Sequence, residues 1–279
     1  MLLGDGVAVM YEEGAAGAAR EAAALYPGAR AAVESALGLE ADFSATLLLS
    51  GDREGFAIAA RSPIVAAYAQ PERYLMVLDN SRVLEKPFTL ETTLRHELCH
   101  LVLHHHIREA PIPRWLEEGV CQWASGGVSE VAAGLGSRDL ARASLAGRLI
   151  PLARLGREFP EEDSALRLAY AQSRSFVDYL AREGGGEAVR AVVGRMRQGA
   201  TVDEAFAETF FAPVHELEEG WQEALKRRHN WLSYLSDNIY VLLFVLGGAL
   251  TVYGFARVVL RLRAREEDDG GDGEEGPWR

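Results

Sequence analysis

Several absences limit what this chain can be. It has only two cysteines, Cys99 and Cys121, too few for a disulfide framework, although the two can pair if the elements that carry them touch. It has no internal repeat, and no basic patch offsets its net charge of −12, so nucleic acid is not an expected partner. Its first residues, MLLGDGVAVMYEE, contain neither the basic segment nor the apolar run of a signal peptide.

The most informative stretch that is present is His96–His100, which reads His-Glu-Leu-Cys-His and is an instance of H-E-x-x-H. Thr89 can cap a helix here, and leucines recur after it at helical spacing. Residues four apart share a helix face, so His96 and His100 can both bind one Zn²⁺ ion. Glu97 lies between them, in position to act as general base on a zinc-bound water. The pattern predicts hydrolysis of an amide bond.

A zinc ion with one position open for water needs a third protein ligand. His106 has the spacing of sites in which a third histidine follows H-E-x-x-H. Those sites have a glycine where this chain has Leu103. We therefore expect the helix to continue and to carry His106 about 15 Å along the axis from His96. His104, His105 and His106 then form an exposed helix end, where imidazolium suits the helix dipole.

A better source of the third ligand follows Pro111 and Pro113, which break the first helix. The run from Trp115 to Ala124 predicts a second helix, and a carboxylate on it can complete a His-His-Glu zinc site. The two candidates are Glu117 and Glu118, which are adjacent in this run.

Here the sequence resembles the gluzincin-type zinc metallopeptidases. Their signature follows H-E-x-x-H with a helical glutamate, often inside W-L-x-E-G, and the matching residues are Trp115–Gly119. The resemblance assigns the third ligand to Glu118. Because the gap from His100 is one residue shorter than in the aminopeptidase branch, Glu117 stays open as the alternative. The aminopeptidase motif G-x-M-E-N is absent from the chain, which disfavours an exopeptidase.

The wider resemblance is to bacterial peptidase MA-like domain proteins and covers roughly residues 7–228. It includes Tyr170–Leu180, Val202–Phe206 and the later Trp221. It implies a peptide or protein substrate and points to Tyr170 as the catalytic group that stabilises the oxyanion, since a phenol is a suitable donor. The alternative is that Tyr170 belongs to the core face of an amphipathic helix.

The fold class predicted is α+β: a zincin-like domain with a small mixed sheet and an active-site helix, then a helical C-terminal part. Strands are expected at Val7–Tyr11, Thr46–Leu49, Ile64–Tyr68 and Tyr74–Leu78. In zincins the last strand before the metal helix typically lies at the sheet edge, where an extended substrate can pair with it. Tyr74–Leu78, or Ile64–Tyr68, is the candidate for that position.

A transmembrane helix is predicted near the C-terminus, because Ile239–Ala256 is 18 residues without a charge, about 27 Å of helix. The expected domains are 1–230 for the metallopeptidase, 231–238 for a juxtamembrane linker, 239–260 for the span and 261–279 for a basic, then acidic, disordered tail. The basic cluster that follows the span, Arg257, Arg261, Arg263 and Arg265, is larger and closer to it than the preceding cluster, Lys226–Arg228. This difference favours a cytoplasmic tail and an extracytoplasmic catalytic domain. That orientation needs a signal upstream of the sequence given.

Together these patterns predict a membrane-anchored zinc metallopeptidase, most consistent with an endopeptidase. His96, His100 and Glu118 are the expected metal ligands, and Glu97 and Tyr170 the expected catalytic residues. The partners are a peptide or protein substrate and the lipid bilayer, through a single C-terminal span. The alternative function is a catalytically silent zincin-like scaffold or binding module at the membrane.

Overall fold

The computed structural model describes residues 1–12, 14–60, 65–82, 89–126, 137–228 and 239–269. The chain divides into two compact units, Met1–Arg227 and Arg228–Arg279. The predicted linker 231–238 and the end of the predicted tail, from residue 270 onward, lie outside the described residues.

One mixed sheet forms the N-terminal part of the first unit. Its spatial order is β1-β2-β3-β5-β4, with β2, β3 and β5 parallel and the two edge strands antiparallel to their neighbours. Side chains alternate between buried and partly exposed along β3, as expected for a strand whose one face packs on the core. The strands are β1 (Leu2–Gly4), β2 (Val7–Tyr11), β3 (Ala45–Ser50), β4 (Ala67–Gln70) and β5 (Leu75–Asp79).

Helices cover this sheet and make up the rest of the described chain. The N-terminal helices are α1 (Ala16–Leu37), α2 (Arg53–Ala60), α3 (Leu90–His106) and α4 (Arg114–Ala124). The C-terminal helices are α5 (Ser137–Leu145), α6 (Asp163–Arg197), α7 (Val202–Phe210), α8 (Val214–Arg228) and α9 (Ile239–Asp269). The predicted α+β class, with its small sheet and helical C-terminal part, is confirmed.

Local sequence explains where several helices begin and end. Gly38 ends α1 in the left-handed conformation, with φ of 68°, which glycine adopts without steric cost. The Thr201 side chain and Glu204 form a capping box at the start of α7. Inside α6, Gly185 has φ of 75° and interrupts two helical stretches.

The strand at the edge of the sheet is not the first of the two candidates, Tyr74–Leu78. β5, which contains most of Tyr74–Leu78, pairs with β3 on one side and β4 on the other, so placing it at the edge was wrong. β4 (Ala67–Gln70) is one of the two edge strands, and Ile64, where the second predicted strand began, lies outside the described residues. After β4 the chain turns back through a 3-10 turn at Pro71–Arg73. The last described strand before α3 is therefore β5, which lies between β4 and β3.

The described part of the second unit is α9. Its segment Ile239–Val258 is long and apolar enough to cross a membrane, by length and composition only. The charge-free stretch Ile239–Ala256 lies within this segment, the predicted span 239–260 extends two residues beyond it, and its insertion into a bilayer stays a prediction.

Candidate metal centre

Helix α3 places the two histidines of the H-E-x-x-H motif side by side. The Thr89 side chain accepts a hydrogen bond from the Thr92 amide at 3.2 Å, which caps the helix as the sequence predicted. His96 and His100 are both buried, and their Nε2 atoms are 3.3 Å apart. The two nitrogens therefore point to the same place.

Helix α4 brings Glu118 to that place. Its Oε2 atom is 3.5 Å from His96 Nε2 and 3.8 Å from His100 Nε2. Donors in a tetrahedral zinc site lie about 2.0–2.2 Å from the metal and so about 3.4 Å from each other. Glu118 Oε2 is buried and makes no well-formed hydrogen bond, a costly state that a shared cation relieves. The set of His96, His100 and Glu118 thus fits one zinc ion.

Glu117, the alternative ligand, lies on the other side of His100. Its Oε1 is 2.7 Å from His100 Nδ1 and 3.0 Å from His104 Nε2. A carboxylate behind a ligating histidine holds the proton on Nδ1 and leaves the Nε2 lone pair for the metal. The geometry therefore favours Glu118 as the ligand and Glu117 as the residue that orients His100. The contact between Glu117 and His104 was not predicted from the sequence.

The electrostatics of the site attract positive charge. Burial lowers the pKa of His100, but the hydrogen bond to Glu117 and the charges of Glu117, Glu118 and Glu97 outweigh it and raise the pKa to about 9. Burial raises the pKa of Glu117, yet its bonds to His100 and His104 bring that pKa well below its usual range. Carboxylates around two imidazoles are the environment that a divalent cation satisfies.

A cavity of about 350 Å³ opens onto these ligands. Glu97 is buried and lines it, next to the histidines on α3. Across the cavity lie Ala67, Tyr68 and Ala69 of the edge strand β4. A peptide lying along this strand would therefore pass between the sheet edge and the ligand side chains.

Tyr170 also lines this cavity. It is buried on α6 and packs against Leu166 and Phe159, as the core alternative predicted, and its role as oxyanion donor stays a prediction. Burial, followed by the charge of Glu118, raises the pKa of Tyr170 well above its usual value, which keeps the phenol protonated. The Arg114 guanidinium, which lines the same cavity, partly offsets this rise through its positive charge. This arginine was not singled out in the sequence.

Close packing of α4 on α6 explains why Tyr170 and Glu118 are neighbours. A Cβ at Gly119 would lie 2.5 Å from the carbonyl oxygen of Ser173, so only glycine permits this approach. Gln122 is fully buried one turn later and donates to the backbone oxygen of Tyr170 at 3.2 Å. Gly119 of W-L-E-E-G thus permits the short distance between α4, which carries Glu118, and α6, which carries Tyr170.

A disulfide joins the two ligand helices. Cys99, between the two histidines on α3, is bonded to Cys121 on α4, with their Cα atoms 5.3 Å apart. Both residues are fully buried. The pairing left open by the sequence is therefore present.

The last two histidines of α3, His105 and His106, have partners away from this centre. His106 Nε2 is 2.7 Å from the Glu40 carbonyl oxygen, and His105 contacts Tyr74 and Asp42. α3 continues through Leu103 to His106, as expected without a glycine. His106 is accordingly not among the residues that converge with His96 and His100.

The comparisons with known proteins agree with the two motifs. A model of the peptidase MA superfamily matches residues 89–227. This range begins at the cap of α3 and includes H-E-x-x-H, W-L-E-E-G and Tyr170. No curated protein matches the chain. From its fold, its paired motifs and this match, the chain belongs to the peptidase MA superfamily.

Proposed function

We propose that this protein is a zinc-dependent endopeptidase. The observation that supports it most is the convergence of three buried donor atoms, from His96, His100 and Glu118, within 4.8 Å of one another. Glu97 lines the same cavity. A buried His-His-Glu set with an acid beside it is the donor set of catalytic zinc, not of a closed structural site.

Each side chain has a role in this reaction. Zinc in such a site acts as a Lewis acid and lowers the pKa of water to near neutrality. Glu97 accepts the proton of the attacking water and passes it to the leaving amine. The protonated phenol of Tyr170 donates to the oxyanion that develops on the substrate carbonyl. Glu117 keeps the His100 ring in position by its bond to Nδ1.

The edge strand supports a peptide as the substrate. β4 forms one edge of the five-stranded sheet, and an extended chain can add to such an edge through main-chain hydrogen bonds. Ala67, Tyr68 and Ala69 line the same cavity as His96, His100 and Glu118, so a chain added to this edge would lie beside the proposed ligands. Since the chain has no G-x-M-E-N motif for a free amino terminus, internal bonds are the expected targets.

The test compares Glu97→Gln with the wild-type protein. We expect Glu97→Gln to keep the zinc content and to lower the turnover of a casein-like substrate about 10²- to 10⁴-fold, the usual contribution of a general base. A chelator should abolish wild-type turnover, and added zinc should restore it. Full activity of Glu97→Gln would contradict the mechanism. A wild-type protein that binds zinc but cleaves no peptide would instead support the silent scaffold.

We further propose that α9 anchors the enzyme in a membrane with the catalytic unit on the extracytoplasmic side. The disulfide between Cys99 and Cys121 supports this, because disulfides persist in oxidising compartments. Arg257, Arg261, Arg263 and Arg265 follow the apolar segment, as the positive-inside rule requires for a cytoplasmic tail. External protease added to intact cells should degrade the catalytic unit; protection of that unit would place it in the cytoplasm.

A further inference from the structure

We propose that Arg114 is a positioning residue that directs the phenol proton of Tyr170 into the metal cavity. The inference rests on the proposed peptidase function and concerns how the oxyanion donor is held. Arg114 acts through Tyr170 and is not itself assigned contact with the reacting atoms.

The position of Arg114 makes this possible. It is the first residue of α4, four residues before Glu118, so both project from the same helix face. Its Nη2 is 3.5 Å from Glu118 Oε1, and it lines the cavity together with Tyr170. The guanidinium therefore lies between the proposed metal ligand and the proposed oxyanion donor.

The Phe159 ring contacts both Arg114 and Tyr170. The guanidinium carbon of Arg114 lies 5.2 Å from the centre of the Phe159 ring, within the range of a cation–π contact. The same ring meets Tyr170 edge to face, with 5.0 Å between ring centres. One aromatic side chain thus limits the movement of both groups.

The chemistry of the two groups sets where the Tyr170 proton can go. A guanidinium has donors only, whereas a phenol can donate one hydrogen bond and accept others. Arg114, which contacts the same Phe159 ring as Tyr170, therefore offers no acceptor, and the phenol proton must go elsewhere. The cavity is the polar space that Tyr170 lines, and the substrate oxyanion is the acceptor that forms there. The positive charge behind the oxygen also makes the phenol a stronger donor.

A purely structural role gives different expectations. The Arg114 amide donates to the Gly156 carbonyl oxygen, a backbone bond that side-chain substitution leaves in place. The remaining alternative is that Arg114 serves Glu118, its other neighbour. That role predicts weaker zinc binding, whereas a role through Tyr170 predicts slower turnover at full zinc occupancy.

The experiment is a double-mutant cycle on the full chain with Arg114→Ala, Tyr170→Phe and the combined variant. Each is measured for zinc content, kcat and KM on one peptide substrate. We expect Arg114→Ala to keep its zinc and its KM within about twofold and to lower kcat about 10- to 100-fold, less than the full loss of an oxyanion donor. The combined variant should be no slower than Tyr170→Phe alone, and Arg114→Lys should recover part of kcat. Arg154→Ala, at an exposed arginine that does not line the cavity, is the matched control.

Three results would overturn the inference. Multiplicative losses in the combined variant would show that Arg114 does not act through Tyr170. Zinc loss in Arg114→Ala, with activity restored by excess zinc, would assign the arginine to Glu118. Unchanged turnover in Tyr170→Phe would remove the phenol from the reaction. Failure of the proposed function is distinct from all three, because the wild-type protein itself would then show no zinc-dependent cleavage.

Discussion

At the scale of single residues, two adjacent carboxylates have different partners because neighbouring positions on a helix point about 100° apart. Glu118 turns toward the Nε2 atoms of both motif histidines, and Glu117 toward the Nδ1 atom of one of them. In the proposed site, the same chemical group thus serves as ligand in one position and as the support of a ligand in the next.

This division predicts unequal effects on metal binding. Glu118→Ala removes one of three ligands and should leave the protein without zinc after dialysis. Glu117→Ala removes only the support of His100 and should weaken zinc binding about 10- to 100-fold. Zinc titration with a competing chelator measures both. The reverse order of affinities would make Glu117 the third ligand.

A second residue-scale prediction concerns Tyr26. Its side chain is fully buried on α1, and its hydroxyl has no hydrogen-bond partner among the described residues. Burial, only partly offset by the charge of Arg30, raises the pKa of Tyr26 to about 12, above the ordinary value near 10. We expect Tyr26→Phe to raise the free energy of unfolding by about 1 kcal/mol, because an unpaired buried hydroxyl is removed.

The pH dependence of the same variant has a defined sign. Because the folded pKa is the higher one, the stability linked to Tyr26 is complete below pH 10 and is lost as the pH rises through 12. The gap in unfolding free energy between Tyr26→Phe and wild type should therefore widen above pH 10. Urea unfolding at several pH values tests this, with the partly exposed Tyr11→Phe as control. A gap that stays constant with pH would argue against a buried, neutral phenol.

The residues that could be predicted from the sequence are those whose roles depend on local spacing. His96 and His100 are four apart on a helix, and Glu118 occurs in a second recognisable segment. The Arg114–Tyr170 and Glu117–His104 pairs could not be predicted in this way. Each joins side chains on two helices, and their meeting depends on how those helices pack.

At the scale of elements, the disulfide fixes α3 against α4. It closes a loop with a sequence separation of 22 residues, which contains the two prolines between the helices. The chain-entropy estimate for a loop of this length is about 3 kcal/mol. Because Cys99 lies between His96 and His100, and Cys121 lies three residues after Glu118, the bond also limits how far Glu118 can move from the histidines.

Loss of this bond should therefore affect both stability and metal binding. We expect Cys99→Ala, Cys121→Ala and the double variant each to lower the free energy of unfolding by about 3 kcal/mol, and each to bind zinc more weakly. Reduction of the wild-type protein should have the same effect and should leave the double variant unchanged. Chemical denaturation and zinc titration measure the two quantities. A double variant as stable as wild type would show that the helices need no covalent link.

Elements were predicted more completely than their arrangement. Short apolar runs predicted β2 and β3, and a capping residue predicted the start of α3. The order of strands was not accessible, because it depends on pairing between distant segments. β5 accordingly proved to be internal, and β4 formed the edge. β1 was missed because three residues carry too little periodic pattern.

At the scale of the whole molecule, α9 predicts retention in the membrane. Leu246 and Leu250 lie near the middle of its apolar segment, where an arginine costs about 2.5–3.5 kcal/mol. We expect the full chain to resist alkaline carbonate extraction and a variant with Leu246→Arg and Leu250→Arg to be released. Ile58→Arg, at an exposed position on α2, should stay in the pellet. Release of the wild-type chain would contradict the anchor.

The outer edge of β4, which pairs with no other strand in the described part of the chain, has a consequence for what the proposed enzyme can degrade. A substrate segment can pair with that edge only when its own backbone amides and carbonyls are not already hydrogen-bonded to other groups. Under the proposed mode of binding, compactly folded proteins are not substrates, whatever their side chains. Unfolded tails and long surface loops are. Substrate specificity then depends first on the conformation of the substrate protein, and the rate of cleavage depends on how often that protein unfolds locally.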